Sequence, residues 1–292
     1  MITVVLTIYN RTQFYKTALD SLANQNDLDF QLLIYTNIDI QYDLQKFKEV
    51  DTIYPQKKEM AFWLSDALRN AKYDKIAFLD DDDTFQPNKI AYLNQHEFQY
   101  LHNDYNHLTS GNHINGNGFN MSCIAINRIY FPNLPSQLEN HIELATMPDT
   151  FVYWYSIEHN VQATIIKEKL TNYRFRDYKT LKNNAVDNMK KQINKLKEFA
   201  EYFQAKEIHT IIRQRLIQDL IYLRTFGEDT NLTFIDLTWL IMQKNVDNRK
   251  SLIASYILTM PILKKYGMNL INKIRQNTDL KGGTLSGQEA KE

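Results

Sequence analysis

The residues most able to do chemistry stand together at Asp80, Asp81, Asp82 and Asp83, directly after the apolar run Ile76, Ala77, Phe78 and Leu79. Four adjacent carboxylates repel one another unless a cation compensates them. Side chains alternate along an extended chain, so Asp80 and Asp82 would converge on one hard ion if the strand runs on. Carboxylates that leave positions open for phosphate oxygens are the donors that Mg2+ or Mn2+ takes. The plainer reading is a solvated acidic turn in which Asp83 or Thr84 caps a helix. An EF-hand calcium loop does not fit, because Phe85 stands where glycine is needed and Ala91 where the closing Glu is needed.

The elements that must position this cluster alternate. Residues 2–8 are rich in β-branched side chains and end at Tyr9, Asn10 and Arg11. A helical stretch follows, with Phe14, Ala18, Leu22 and Ala23 in phase. Short apolar runs at 30–35 and 50–54 predict two more strands, and residues 60–71 predict a helix with Met60, Leu64, Ala67, Leu68 and Ala71 on one face. Residues 75–79 make a fourth strand. Strands separated by helices of this length predict a parallel sheet of βαβ units, with ligands gathering beyond the carboxyl ends of the strands. Those ends carry Tyr9, Asn10 and Arg11, then Thr36 and Asn37, then Tyr54, then the four aspartates: a polar, acidic rim. A hairpin is predicted from 107–114 and 119–127, around Asn115-Gly116-Asn117-Gly118. Strand signals recur at 163–166 and 171–175.

From about Lys179 the period becomes helical. Val186, Met189, Ile193, Leu196, Ala200 and Phe203 mark one helix, and Ile208, Ile212, Leu216, Leu220 and Leu223 a second. Further helices are expected over 232–244, 247–259 and 262–276, with Pro261 between the last two. The expected organisation is an α/β domain over 1–178, an all-helical domain over 179–278 and a polar tail over 279–292.

Composition agrees with an ordinary globular chain of one or two domains, at 43% hydrophobic and 23% charged residues. The single cysteine, Cys123, excludes an internal disulfide and Cys-rich zinc sites. No secretory leader and no membrane span are legible, so the expectation is a cytoplasmic protein. Net charge is zero, but residues 1–178 hold 15 Lys/Arg against 22 Asp/Glu, and 179–292 hold 19 against 12. Residues 244–275 combine Lys244, Arg249, Lys250, Lys264, Lys265, Lys273 and Arg275 with a run of Leu, Ile and Tyr. Such helices either pack on their neighbours or in a homodimer seam, or lie peripherally on the inner face of an anionic membrane.

Taken in order, several segments resemble glycosyltransferase family 2, whose catalytic domain has the GT-A fold. Val4-Val5-Leu6-Thr7-Ile8-Tyr9-Asn10-Arg11 resembles the opening strand with its Thr-x-Tyr-Asn turn, and residues 19–25 resemble the helix that follows it. Residues 67–83 resemble the segment that ends in the family's acidic motif, with Pro87 where the family has proline. Pro148-Asp149 with 151–159, then Tyr173-Arg174, resemble its "EDxxL … YR" segment. The resemblance covers about residues 1–178 and rests on order and spacing, since each motif is short.

It implies an inverting, metal-dependent transfer of a sugar from a nucleotide-diphosphate donor, by preference a UDP-sugar. The acceptor would be a hydroxyl of a glycan, glycolipid or protein-linked chain, as in polysaccharide biosynthesis, and nucleic acid is not an expected partner. Thr7, Tyr9, Asn10, Asn37, Asp80 and Asp81 would bind the nucleotide-sugar, Tyr9 stacking on the base. Asp82, with Asp80, would hold Mn2+ or Mg2+, and Asp149 would be the general base. Two departures stand out. Thr36-Asn37 replaces the family's acidic pair after strand two, and Met147 or Pro148 replaces the Glu beside Asp149. Two alternatives stay open. One is a non-catalytic nucleotide-sugar-binding module. The other is a haloacid-dehalogenase-type phosphatase, whose Asp-x-Asp-x-Thr motif matches Asp80, Asp82 and Thr84 but belongs on a first strand.

Overall fold

The first strand, β1 (Ile2–Ile8), is a β-branched run buried along nearly its whole length, as a strand covered on both faces requires. The structure is a computed structural model that describes residues 1–108, 120–174 and 185–225, with 230, 231, 233, 235, 236, 238 and 239. Parallel to β1 on one side lies β2 (Phe30–Thr36), which in turn pairs with β3 (Val50–Ile53). On its other side lies β4 (Lys75–Asp80), also parallel. The crossovers are α1 (Tyr15–Ala23) and α2 (Met60–Asn70), each close to its expected bounds.

The sheet continues with β5 (Thr84–Phe85), β6 (Tyr100–His107), β7 (Ile124–Asn127) and β8 (Ala163–Tyr173), giving eight strands in the order β3-β2-β1-β4-β7-β6-β8-β5. Between them run α3 (Lys89–Gln95), α4 (Leu134–Asn140) and α5 (Pro148–Glu158). Val4, Leu6, Leu32, Ile34 and Leu79 share a core with Leu19 and Leu22 of α1 and Ile90 and Leu93 of α3. Each such side chain stabilises the fold by about 1.5–3 kcal/mol when fully buried.

Three expectations change. The acidic run does not extend β4: the Asp83 N–H donates back to the Asp80 carbonyl at 3.2 Å, so the chain turns at the aspartates. The hairpin is not tight: among the described residues β6 pairs with β7 through Tyr100–Ile126, Leu101–Ala125 and His102–Ile124, while β8 runs along its other edge from Tyr100 to His107. Its expected Asn-Gly turn lies outside the described residues. The two late strand signals are one strand, β8, whose pairing partners in β6 step past register shifts near Asp104.

The chain divides into two compact units, Met1–Ser110 with Asn115–Arg176, and Gly111–Ile114 with Asp177–Glu292. In the second, α6 (Ala185–Tyr202) and α7 (Lys206–Thr225) pack against each other. Buried Ile193, Leu196 and Phe199 on α6, with Phe203 just past its end and Ile208, Ile212, Ile217 and Ile221 on α7, follow the helical period. Of the helix expected over 232–244, residues 235, 236, 238 and 239 are helical, opened by a reciprocal Thr233–Asp236 capping pair. The helices expected over 247–259 and 262–276, with the basic apolar stretch and the tail, lie outside the described residues. Among those described, no helix is long and apolar enough to cross a membrane.

Candidate active site

Strand order reverses at β1, because β2 is added on one side of it and β4 on the other. In an open α/β sheet that reversal opens a crevice beyond the carboxyl ends of the two strands. The register places Thr7 of β1 opposite Asp80 of β4, and the Thr7 hydroxyl donates to Asp80 Oδ1 at 3.3 Å. Beyond Thr7 the chain leaves the sheet through Tyr9 and then Asn10, which has a left-handed φ of 55°. Asn tolerates that region better than other residues with a Cβ. It is fixed there by a reciprocal pair: the Asn10 N–H donates to Asn37 Oδ1 at 2.9 Å, and Asn37 Nδ2 donates to Asn10 Oδ1 at 2.6 Å. The ends of β1 and β2 are thereby tied side by side. Tyr9, half-buried, rests its ring on buried Trp63 of α2, with centroids 5.5 Å apart. The Trp63 indole N–H donates to the Lys57 carbonyl at 2.6 Å, so the platform behind Tyr9 is itself held.

The four aspartates do different jobs. Loss of water around Asp80 pushes its pKa up to about 8, with Asp83, Asp82, Asp149 and Asp81 adding to the rise. Asp81 is fully buried, and burial pushes it up to about 6 against the pull of Arg11 and of the Tyr9 backbone N–H. Asp82, also buried, is bound by an Arg11 Nη. Asp83 turns inward. It accepts the Arg174 backbone N–H at 2.8 Å and Asn120 Nδ2 at 3.3 Å, and burial raises its pKa.

Arg11 is the residue that sequence reading left without a role. Its Nε donates to Asp81 at 3.2 Å and its Nη groups form ion pairs with Asp81 and Asp82. One guanidinium thus compensates two of the four carboxylates. A signal was available: Arg11 is the one basic residue at the predicted strand ends. Arg174 adds a second cation, its Nε donating to the Asp82 carbonyl at 3.1 Å while its guanidinium lies 4.4 Å from the Phe14 ring.

Asp149 approaches from α5. Pro148 occupies the first turn, where its missing N–H costs nothing, and Asp149 follows it. Asp149 Oδ1 accepts the Thr150 N–H at 2.6 Å, and a carboxylate at a helix N-terminus is favoured by the dipole. Buried Phe151, Val152, Trp154 and Tyr155 anchor the helix. Asp149 is close enough to Asp80 to contribute to the rise in its pKa. Thr7, Tyr9, Asn10, Asn37, Asp80, Asp81, Asp82 and Asp149 therefore all belong to one unit, and Asp149 bears electrostatically on the crevice.

Beneath the acidic turn lies a second feature not legible in advance. Lys89 of α3 is fully buried, donating to the Ser122 carbonyl at 2.6 Å and the Thr171 hydroxyl at 2.9 Å, 3.9 Å from the Phe85 ring centroid. The Ser122 hydroxyl accepts the Asp80 N–H at 3.0 Å, so Lys89 braces the turn through Ser122.

The donor set can be judged for a divalent ion. Among the described residues no group of three or more His, Cys, Asp or Glu could hold a metal by itself. What is present is a crowd of hard carboxylate oxygens whose mutual repulsion a cation would relieve. That set fits an ion shared with phosphate oxygens and does not form a closed cage.

The sheet, its reversal at β1 and the acidic turn after β4 define an α/β unit with the GT-A fold. The solved structures with this fold include Staphylococcus aureus TarS 1–349 in complex with UDP-GlcNAc, with a TM-score of 0.51 and 15% identity over 89% of this chain and 81% of that one. They also include the mannosyltransferase PcManGT from Pyrobaculum calidifontis in complex with GDP-Man and Mn2+, with a TM-score of 0.53 and 10% identity over 95% and 86%. Among curated proteins, the O-antigen biosynthesis glycosyltransferase WbnJ of Escherichia coli is 30% identical over 40% of this chain. The match spans about half, 49%, of that relative's own length. No model of a known protein family matches the chain.

Proposed function

We propose that the chain is an inverting glycosyltransferase that moves a sugar from a nucleotide-diphosphate donor to an acceptor hydroxyl. The observation that carries this reading is the meeting of Thr7 of β1 with Asp80 at the end of β4, and of the Tyr9 N–H with Asp81 in the turn beyond it, at the reversal of strand order. The likeness to TarS, PcManGT and WbnJ supports it, as do the UDP-GlcNAc and GDP-Man bound in the first two structures.

In this reading Tyr9, backed by Trp63, stacks on the base, and the Asn10–Asn37 pair offers amide groups to its edge. Amides can serve a uracil, so UDP-sugars are the first donors to test. Asp80 and Thr7 face the ribose and diphosphate, and Asp81 keeps the turn in shape through Arg11 and the Tyr9 N–H. Asp82, with Asp80, would hold Mn2+ or Mg2+, which when bound would stabilise the charge that develops on the departing diphosphate. Asp149 accepts the proton of the acceptor hydroxyl as it attacks the face opposite the leaving group. One attack on that face inverts the anomeric centre. The acceptor is proposed as a hydroxyl of a glycan or lipid-linked chain. The phosphatase reading has no support from the sheet, since Asp80 ends the fourth strand and not the first.

Calorimetry tests the donor site. UDP or GDP should bind clearly more tightly with Mn2+ than with EDTA, and Asp82→Asn should remove most of that difference. Equal affinity with and without the metal in the unaltered protein would contradict a metal-assisted donor site.

A further inference from the structure

The acidic turn already holds a cation of its own. Arg11 meets Asp81 through Nε and Nη2 and Asp82 through Nη1, so one planar fork spans two carboxylates. The two contacts differ in their access to solvent. The Asp81 side chain is wholly buried, also accepts the Tyr9 backbone N–H, and is met by two guanidinium nitrogens. The Asp82 side chain retains 10% exposure and is met by one guanidinium nitrogen, while the Arg11 side chain is 32% exposed. Breaking either contact strands a buried carboxylate, but only Asp82 keeps an exposed edge that an incoming cation can reach as the guanidinium leaves.

We propose that Arg11 is an exchange partner for the donor. Its Nη1 guards Asp82 in the empty protein and passes to a diphosphate oxygen when a divalent cation takes Asp82. The inference rests on the donor reading above. A divalent ion arriving alone would meet a guanidinium across a shared carboxylate, and the two positive charges repel at that distance in a poorly solvated site. A diphosphate brings the negative charge that lets both cations stay, and a guanidinium fork matches phosphate oxygens geometrically. Arg11 therefore makes the metal and the nucleotide bind as a pair. By linkage, each raises the affinity of the other by the same factor.

The experiment measures Mn2+ affinity of the full chain, alone and with saturating UDP or GDP, by electron paramagnetic resonance of the free ion. Arg11→Met removes the guard, and Arg11→Lys keeps a charge for Asp81 but cannot span both carboxylates. In the unaltered protein the nucleotide should tighten Mn2+ binding by about tenfold or more, an ordinary coupling. In both variants Mn2+ alone should bind several-fold tighter than in the unaltered protein, and the nucleotide should add less. Arg11→Lys serves should Arg11→Met fail to fold. Lower melting temperatures with unchanged Mn2+ affinity and unchanged coupling would mean a purely structural arginine, and the proposal fails. Mn2+ that ignores the unaltered protein even with nucleotide overturns the donor reading and this inference with it.

Discussion

At the scale of single residues, the site is a problem in charge. Asp80 to Asp83 follow one another, yet three sets of partners divide them: Thr7 for Asp80, Arg11 shared by Asp81 and Asp82, and Asn120 with the Arg174 backbone for Asp83. That division explains how four carboxylates coexist at one turn. Asp149 stands apart from the turn, at a helix N-terminus where its Oδ1 accepts the Thr150 N–H. Asp149→Asn keeps the shape and removes the base, so turnover should fall by about 10²-fold or more. UDP or GDP affinity, measured on the same preparation, should stay near that of the unaltered protein. Turnover that stays near normal would assign the base elsewhere.

At the scale of elements, the site depends on what stands behind it. Trp63 is almost completely buried under Tyr9, and Trp63→Ala should lower stability by about 3–5 kcal/mol in urea unfolding. Nucleotide affinity should weaken in the same variant, because Tyr9 loses its backing, and Trp63→Phe should restore most of both. An unchanged nucleotide affinity in Trp63→Ala would detach Tyr9 from the base. Lys89 gives a pH signature. Burial pulls its ammonium from 10.5 down to about 7 in the folded protein. Between those values the unfolded chain holds a proton that the folded chain has released, so Lys89 makes stability rise with pH across that window. Lys89→Met should abolish its share of the rise, read as melting temperatures from about pH 7 to about pH 9. Parallel curves for the two proteins would show that Lys89 keeps its proton.

These elements also show what a sequence discloses. The strands β1 to β4 and the helices α1, α2, α6 and α7 were legible because period and composition are local signals. The acidic turn was legible as a cluster but not as a shape, since whether a strand continues past Asp80 depends on Ser122, 42 residues away. Arg11 was legible as a charge but not as a partner, because its pairing with Asp81 and Asp82 spans 70 and 71 residues. Lys89 resembled any surface lysine of a short helix. Its burial comes from Thr171 and Ser122, which only the folded sheet brings to it.

At the scale of the whole molecule, all the proposed chemistry lies within the α/β unit, and the second unit begins its described part with α6 and α7. The acidic balance of 1–178 against the basic balance of 179–292 follows the same division of the chain. The central claim is that the α/β unit turns over a nucleotide-sugar with the help of a metal. The most direct test incubates the full chain with a panel of UDP- and GDP-sugars, in Mn2+ and in EDTA, and measures release of the nucleoside diphosphate. Without an acceptor, slow transfer to water supplies the signal. The account predicts release from at least one donor in Mn2+, strong suppression in EDTA, and loss with Asp149→Asn. No release from any donor in Mn2+, with the nucleotides still binding, would contradict it and leave a binding module in place of an enzyme.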